Sequence, residues 1–244
     1  MQASMNGRYF GDTRDLFKFD LVRHIMKSLP DLAGFIFVPM LTGTEAEGYQ
    51  KNSARKDLEK AYRSGKAGSQ NQELREHLTR LQEIDDDLEY ITGIRTYFNK
   101  EMILIDIPGR RRFTNHDRDT YFRSVFNEFP KNSLIFIDPD TGLGEENPDK
   151  KHLLLPEVKT AYDRMDSGSI LMIYQHFPRV KHEEYVRRRC MQLEECTGTE
   201  PAVITDNEIV FFLLAKNQKL AARLKNVLEC YADTYPALQS LHCS

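Results

Sequence analysis

Two aspartates separated by one proline stand directly after an apolar run of the sequence. The run covers residues 133–137, and Asp138, Pro139 and Asp140 follow it. A carboxylate pair in so constrained a turn can bind a cation, orient an amine, or act as an acid and base couple. The same residue types are ordinary turn formers, so a purely structural role stays open. We predict that Asp138 and Asp140 are catalytic residues.

Three further apolar runs also end in polar residues. Asp106 ends one of them, His176 ends another, and Thr42 and Gly43 follow the first run of the chain. Ligands of an open α/β sheet bind beyond the carboxyl ends of its strands, so these residues should converge with Asp138 if the strands are parallel neighbours. A neutral imidazole at such a strand end can act as a base. His176 is therefore a third candidate for catalysis.

A short basic cluster follows Asp106. Its residues Arg110 and Arg111 can donate charge-assisted hydrogen bonds to phosphate oxygens. The whole chain has 34 Lys+Arg against 37 Asp+Glu and a net charge of -3, so it lacks the overall basic excess typical of nucleic-acid-binding domains. We predict that Arg110 and Arg111 bind substrate. A second basic cluster, residues 187–189, is expected to form a solvated helix face.

The elements that must position these residues alternate along the chain. Buried parallel strands are predicted near residues 34–41, 102–106, 133–138 and 169–174, and helices over 12–29, 117–129, 156–165, 182–195 and 217–230. Two apolar runs at 202–205 and 209–214, joined by a short turn, predict an antiparallel hairpin. The pattern predicts an α/β fold that is Rossmann-like, with a mostly parallel three-layer sheet and a C-terminal antiparallel hairpin.

A polar segment at residues 45–100 interrupts the alternation. Leu74, Leu78 and Leu81 recur at helical spacing, so this segment predicts a helical insertion packed on the sheet. The length of 244 residues and the hydrophobic fraction of 40% suit one globular domain. We predict a single domain over residues 1–244 that contains this insertion.

Several classes of protein are disfavoured by composition. The longest apolar runs fall far short of the roughly 20 residues that cross a bilayer, and the first residues do not resemble a signal peptide. A cytoplasmic protein without a membrane partner is therefore expected. The four cysteines form no C-x-x-C pair, which argues against a zinc site. Reduced thiols and no bound metal are expected, and the oligomeric state stays open.

One alternative function arises from the residues after Asp140. The Pro-Asp pair followed by Glu157 and Lys159 formally matches the PD-(D/E)xK pattern of metal-dependent nucleases, in which acids bind a divalent metal and the lysine assists a water. That pattern requires Glu157 on a strand, whereas Pro156 and the spacing of the apolar residues favour a helix. A metal-dependent nuclease that uses Asp138 and Asp140 is thus an alternative function.

Three separated segments resemble the bacterial 23S rRNA adenine-N6 methyltransferases, and more loosely the S-adenosylmethionine-dependent methyltransferases as a class. Residues 11–18, Gly-Asp-Thr-Arg-Asp-Leu-Phe-Lys, are similar to the Gly-Asn-x-x-Asp-x-x-Lys helix start of that family. Residues 35–50 resemble its first strand and glycine loop, and residues 134–141 stand where its Asp-Pro-Pro-Tyr motif occurs. The final antiparallel hairpin also suits a methyltransferase-like sheet.

The resemblance implies an enzyme that methylates a nucleic acid with S-adenosylmethionine. Its cofactor-binding residues would be Lys18, Thr42, Gly43 and Asp106, and Asp106 would accept a ribose hydroxyl. Asp138 would receive the target amine, so that catalysis consists of in-line positioning and stabilisation of the charge that develops on nitrogen.

The sequence differs from this family at two motifs. The glycine loop at residues 38–44 has one glycine and no acid, and Thr141 replaces the aromatic ring that stacks on a flipped adenine. These differences are compatible with a catalytically inactive binding or partner protein on the same fold, which is a second alternative function. Whether the chain is an enzyme is therefore left open by its sequence.

Overall fold

A seven-stranded mixed sheet lies between two layers of helices. The computed structural model describes residues 10–41, 57–144, 150–177, 180–206 and 208–241. Its helices are α1 (Thr13–Ser28), α2 (Leu58–Arg63), α3 (Gln72–Leu81), α4 (Asp87–Lys100), α5 (Arg118–Val125), α6 (Leu155–Arg164), α7 (His182–Thr197) and α8 (Gln218–Ala232). Its strands are β1 (Gly34–Pro39), β2 (Ile105–Asp106), β3 (Ser133–Asp138), β4 (Gly142–Leu143), β5 (His152–Leu153), β6 (Ile170–His176), β7 (Ala202–Thr205), β8 (Ile209–Ala215) and β9 (Gln239–Leu241).

The strand order of the main sheet is β2-β1-β3-β6-β8-β7-β9, and β4 pairs separately with β5. Strands β2, β1, β3 and β6 are parallel neighbours. Strand β8 is antiparallel to both β6 and β7, and β9 is antiparallel to β7. Strands β1, β2, β3, β6 and β7 therefore point in one direction, which confirms a mostly parallel α/β sheet.

The antiparallel hairpin formed by β7 and β8 was expected at the edge of the sheet, but it lies inside the sheet. Strand β8 lies between β6 and β7, and β9 forms the sheet edge instead of the hairpin. The short β9 follows a weakly patterned tail and is half exposed, with Gln239 open to solvent. A strand with so little apolar periodicity gives no signal of its own in the sequence.

Both faces of the central strands are covered by helices. On β1, Phe35 and Phe37 belong to one core with buried residues of α1 to α4 and α8, whereas Ile36 and Val38 belong to a second core with residues of α5, α6 and α7. Successive residues of a strand point to opposite faces. The continuous apolar runs of the sequence therefore correspond to strands that are buried on two sides.

Helix α1 lies within residues 12–29, where the sequence predicts a helix. Asp12 is the N-cap, and its side chain accepts hydrogen bonds from the backbone N–H groups of Arg14 and Asp15. Asp15 reaches back and accepts from the N–H of Gly11 at 3.0 Å. Gly11 has a φ of +68°, and a Cβ there would lie 2.6 Å from the Leu78 carbonyl oxygen, so only glycine fits this entry to the helix.

The segment before β2 is helical over α2, α3 and α4, and its stripe of Leu74, Leu78 and Leu81 is buried in the first core. Residues 42–56 lie outside the described residues. The strand expected at residues 102–106 is wrong in its first half, because β2 contains only Ile105 and Asp106. The start of that apolar run instead closes the end of α4, where Met102 donates its N–H to the Asn99 carbonyl.

Two expectations from composition can be compared with the structure. No helix among the described residues is long and apolar enough to cross a membrane. Cys190 is disulfide-bonded, so the expectation of reduced thiols is wrong for that residue. Cys196 and Cys230 are free cysteines.

Candidate functional site

The carboxyl ends of β1, β3 and β6 meet the first turns of α1 at one edge of the sheet. Asp138 is the last residue of β3 and pairs in register with Pro39 of β1, while His176 is the last residue of β6. Lys18 and Arg14 reach these strand ends from α1. Asp138 and His176, which were predicted to converge, therefore lie at the same edge. Lys18, predicted as a cofactor contact, also reaches this edge, and Arg14 is an additional residue that the sequence analysis missed.

Lys18 forms a buried ion pair with Asp138. Its Nζ lies 2.9 Å from Asp138 Oδ2 and 3.4 Å from Asp15 Oδ1, and it sits 4.3 Å from the centroid of the Tyr174 ring. Burial lowers the pKa of Lys18, but the charges of Asp138 and Asp15 outweigh burial, so the pKa is raised overall. Lys18 is thus a fixed cation whose ammonium group is directed at these two acids.

Asp138 has one carboxylate oxygen that this ion pair leaves unsatisfied. Oδ1 is buried and has no hydrogen-bond partner among the residues that the structure describes. Burial raises the pKa of Asp138 to about 6, although Lys18 opposes the shift. A buried acceptor without a partner costs about 1–3 kcal/mol, and such atoms occur at sites that bind a ligand or a proton.

Asp12 has a similar arrangement at the N-terminus of α1. Its Oδ1 caps the helix, whereas its Oδ2 is buried and lacks a hydrogen-bond partner within the described part of the chain. Burial and the nearby charge of Asp15 raise the pKa of Asp12 to about 7, against the effects of Lys18 and Arg14. This edge of the sheet therefore contains two buried carboxylates, Asp12 and Asp138, and each has one oxygen without a hydrogen-bond donor among the described residues.

Helix α4 fixes the position of Asp15 and, through it, of Lys18. The Tyr90 hydroxyl donates to Asp15 Oδ2 at 2.5 Å, and the Tyr90 ring stacks on Phe10 with centroids 4.1 Å apart. Burial raises the pKa of Tyr90 well above its ordinary value, so this hydroxyl stays protonated and remains a donor. The helical segment before β2 thus positions the charged residues of α1.

His176 is held by its two ring nitrogens. Arg14 Nη2 lies 2.9 Å from Nε2, and Nδ1 lies 3.1 Å from the backbone carbonyl oxygen of Glu208. A guanidinium group only donates hydrogen bonds, so Nε2 is the acceptor and the ring proton is on Nδ1. The lone pair that a catalytic base would use is therefore engaged by Arg14, and the role of His176 as a base stays a prediction.

The turn after Asp138 is fixed by Gln175. The side chain of Gln175 accepts a hydrogen bond from the Leu143 N–H at 2.7 Å and donates to the Thr141 carbonyl at 3.2 Å. Gly142 has a φ of +120°, and a Cβ there would lie 2.3 Å from Gln175 Nε2. Asp140 lies in this turn and is partly exposed.

A buried arginine of α7, Arg189, also stabilises the segment that follows Asp138. Arg189 donates to the carbonyl oxygens of Leu143 at 2.9 Å and Gly144 at 3.1 Å, and only 1% of its surface is exposed. The expectation that residues 187–189 form a solvated face is therefore wrong for Arg189. A run of three arginines on a helix gives no signal of which one points inward.

Asp106, Arg110 and Arg111 lie on the β2 side of the same edge. Asp106 is paired in register with Ile36 of β1, and 64% of its side chain is exposed. Arg110 and Arg111 are also exposed, and Arg111 contacts Asp117 at 3.1 Å. Their loop is joined to the end of β1 by a hydrogen bond from the Phe113 N–H to the Leu41 carbonyl.

Two other predicted cofactor residues, Thr42 and Gly43, lie outside the described residues. The Glu157 and Lys159 side chains of the PD-(D/E)xK pattern lie on a helix, where they contact other residues. Glu157 lies in the first turn of α6 and receives two hydrogen bonds from Arg118, at 2.5 and 2.7 Å. Lys159 pairs with Asp163. In the described ranges, no three His, Cys, Asp or Glu residues are grouped to hold a metal ion.

The candidate site is formed by Asp12, Arg14, Lys18, Asp138 and His176, and we call it the strand-end site. All five side chains lie where the carboxyl ends of β3 and β6 meet α1. No protein-family model matches the chain, and a search of curated proteins gives no match. The chemistry of the strand-end site is therefore argued from its geometry.

Proposed function

We propose that the protein transfers a methyl group from S-adenosylmethionine to an amino group of a nucleic acid. The observation that supports this function best is the buried Oδ1 of Asp138, an acceptor without a hydrogen-bond partner in the described residues. It lies at the carboxyl end of a central parallel strand, where α/β sheets bind their ligands. An amine is a ligand that such an oxygen accepts.

The residues near β1 and β2 fit the adenosyl cofactor in part. Asp106 is an exposed carboxylate at the end of β2, next to β1, and a carboxylate there can accept hydrogen bonds from ribose hydroxyls. The ion pair of Lys18 with Asp138 favours a positioning role for Lys18 over direct contact with the cofactor. The bound cofactor would supply a methyl group on a sulfonium ion, and Thr42 and Gly43 remain predicted contacts.

Asp138 would orient and deprotonate the target amine. Lys18 fixes its Oδ2 at 2.9 Å, so Oδ1 is available to accept an amine hydrogen bond in a defined direction. With a pKa of about 6, the carboxylate is mostly ionised at neutral pH and can take the proton that nitrogen releases when it gains the methyl group. A fixed carboxylate in a buried site also stabilises the developing positive charge on nitrogen.

The loop after β2 supports a nucleic acid as the substrate. Arg110 and Arg111 are exposed beside the end of β1, where they can contact phosphate groups. Because the net charge of the whole chain is close to zero, we propose that phosphate groups are bound by this local basic cluster. Asp140 and His176 complete the proposed reaction centre beside Asp138.

One observation favours a second candidate function, a binding or partner protein without activity. The Asp138 side chain is only 5% exposed and is neutralised by Lys18, so the pair also suits a closed structural contact. The two functions differ in whether a methyl group is transferred at all.

A transfer assay separates these functions. We would incubate the protein with methyl-labelled S-adenosylmethionine and mixtures of RNA or DNA, and compare Asp138→Asn with Asp163→Asn. Asp163 is a control because it is an exposed residue of α6 that pairs with Lys159. We expect Asp138→Asn to lower the transfer rate by about 100-fold or more, with no loss for the control. Full activity of Asp138→Asn would exclude this mechanism, and no transfer by the unmodified protein would favour the partner protein.

A further inference from the structure

Four side chains from separate parts of the chain form a line of polar contacts at the strand-end site. Lys66 Nζ lies 2.9 Å from Glu208 Oε1, Arg14 Nε lies 3.9 Å from Glu208 Oε2, and Arg14 Nη2 lies 2.9 Å from His176 Nε2. Lys66 precedes α3, Glu208 lies between β7 and β8, and the other two residues belong to α1 and β6. The line thus joins the helical segment before β2 to the end of β6.

The contact between Arg14 and His176 requires an unprotonated Nε2. Arginine has no acceptor and remains charged at any pH that a folded protein tolerates. A proton on Nε2 would therefore replace the hydrogen bond with a contact between two cations. The opposite ring nitrogen already donates to the Glu208 carbonyl, so the ring cannot turn over without losing that bond as well.

We propose that His176 is a proton-sensitive latch that holds Arg14 against the end of β6 when neutral and releases it when protonated. The released guanidinium has a second acceptor nearby, because Glu208 Oε2 is 3.9 Å from Arg14 Nε. Protonation would then shift Arg14 towards Glu208 and loosen the first turn of α1 beside Asp138. Acidification would in this way regulate the strand-end site, whatever ligand that site binds.

Within the described part of the chain, charged and polar groups from several elements lie around His176. Arg14 faces it from α1, and Glu208 faces it from the β7–β8 turn with Lys66 behind. From the turn after β3, the Thr141 carbonyl accepts the His176 backbone N–H at 3.3 Å, and the partly exposed Asp140 adds an acidic group to the same turn. The Glu208 carboxylate, 34% exposed, is a negative charge towards which Arg14 would shift.

The first test is the tautomer of His176, measured by long-range proton–nitrogen NMR of the histidine rings at pH 8. The chain has seven histidines, and the ring signals that disappear in His176→Gln identify this residue. We expect the proton on Nδ1 and an unprotonated Nε2. A proton on Nε2 at pH 8 would overturn the proposal, because Arg14 cannot donate to a protonated nitrogen.

The second test is amide hydrogen exchange in the first turn of α1 at pH 8 and pH 5.5, corrected for the intrinsic effect of pH. Loss of the latch contact should speed exchange about fivefold in the unmodified protein at the lower pH. His176→Gln is the matched control, because an amide oxygen can accept from Arg14 and does not titrate in this range. Asp12 and Asp138 also titrate there, but both are present in both proteins.

The same pH response in both proteins would overturn the latch. A response confined to the unmodified protein, together with the Nδ1 tautomer, would support it. Neither measurement involves a cofactor or a nucleic acid, so failure of the latch leaves the proposed methyl transfer untouched. Failure of methyl transfer likewise leaves the latch untouched.

Discussion

Two buried carboxylates, Asp20 on α1 and Asp138 at the end of β3, differ in how their oxygens are satisfied, and the difference separates a structural site from a candidate ligand site. Asp20 accepts from Asn71 Nδ2 at 2.7 Å through one oxygen, and from the hydroxyls of Tyr231 and Tyr235 at 2.9 and 3.2 Å through the other. Asp138 has an ion pair with Lys18 at one oxygen and no partner at the other within the described residues.

The comparison shows that burial alone does not identify a functional acid. The donors of Asp20 are neutral and come from the start of α3 and from α8 and its following turn, so this carboxylate joins three parts of the first core. A fully satisfied buried network stabilises and specifies a fold. The unsatisfied oxygen of Asp138 gives no such gain, which is why we assign Asp138 to ligand binding.

The largest effect is expected from removal of the structural carboxylate. Asp20→Ala removes the acceptor of two buried tyrosine hydroxyls and of the half-buried Asn71 amide, and we expect the free energy of unfolding to fall by about 3 kcal/mol. Urea denaturation measures this change. Asp233→Ala is the control, since Asp233 is exposed at the end of α8 and should change stability by less than about 0.5 kcal/mol. Similar small effects for both variants would remove the basis of the comparison.

A smaller effect is expected in the turn that follows Asp138. Gly142→Ala places a Cβ 2.3 Å from Gln175 Nε2 at a φ of +120°, so we expect about 2–3 kcal/mol of destabilisation. Gly198→Ala is the matched control, because its φ is +74° and no atom lies within 4 Å of the added Cβ. It should cost about 1 kcal/mol. Thermal unfolding of the two variants compares them, and equal losses would show that Gln175 does not fix this turn.

The smallest effect is the pH dependence of stability near the strand-end site. Burial raises the pKa of Asp138 to about 6 and of Asp12 to about 7, from 3.8. The folded state therefore binds more protons than the unfolded state between about pH 4 and 7, and stability falls as pH rises through that window.

The shifts correspond to at most about 3 kcal/mol for Asp138 and about 4 kcal/mol for Asp12. For the pair together we expect a smaller measured loss of about 1–2 kcal/mol, of which somewhat less than half should vanish in Asp138→Asn. Urea denaturation at pH 4.5 and 7.5 measures the change for the unmodified protein and the variant. An identical pH dependence in both proteins would mean that Asp138 is not perturbed as described.

The strand ends were predictable because they depend on local patterns. Apolar runs identify the buried strands, and parallel strands must bring their carboxyl ends together, so Asp138 and His176 lie at the same edge of the sheet as expected. Helix α1, predicted over residues 12–29, likewise depends on a local pattern. These signals are short in sequence and need no knowledge of distant partners.

The partners of those residues were not predictable in the same way. Arg14 and His176 are 162 positions apart, and Asp15 and Tyr90 are 75 apart. Neither residue type nor spacing shows which arginine of the 187–189 cluster is buried. Such pairs arise from the packing of whole elements, which is why the sequence identified candidates for the site but not the contact that engages the lone pair of His176.

The most direct test of a ligand site at the strand ends is calorimetric titration with S-adenosylhomocysteine. We predict micromolar binding by the unmodified protein, binding at least about tenfold weaker for Asp106→Asn, and unchanged binding for Asp163→Asn. No binding by the unmodified protein at millimolar ligand would contradict the proposed cofactor site and favour a partner protein on the same fold.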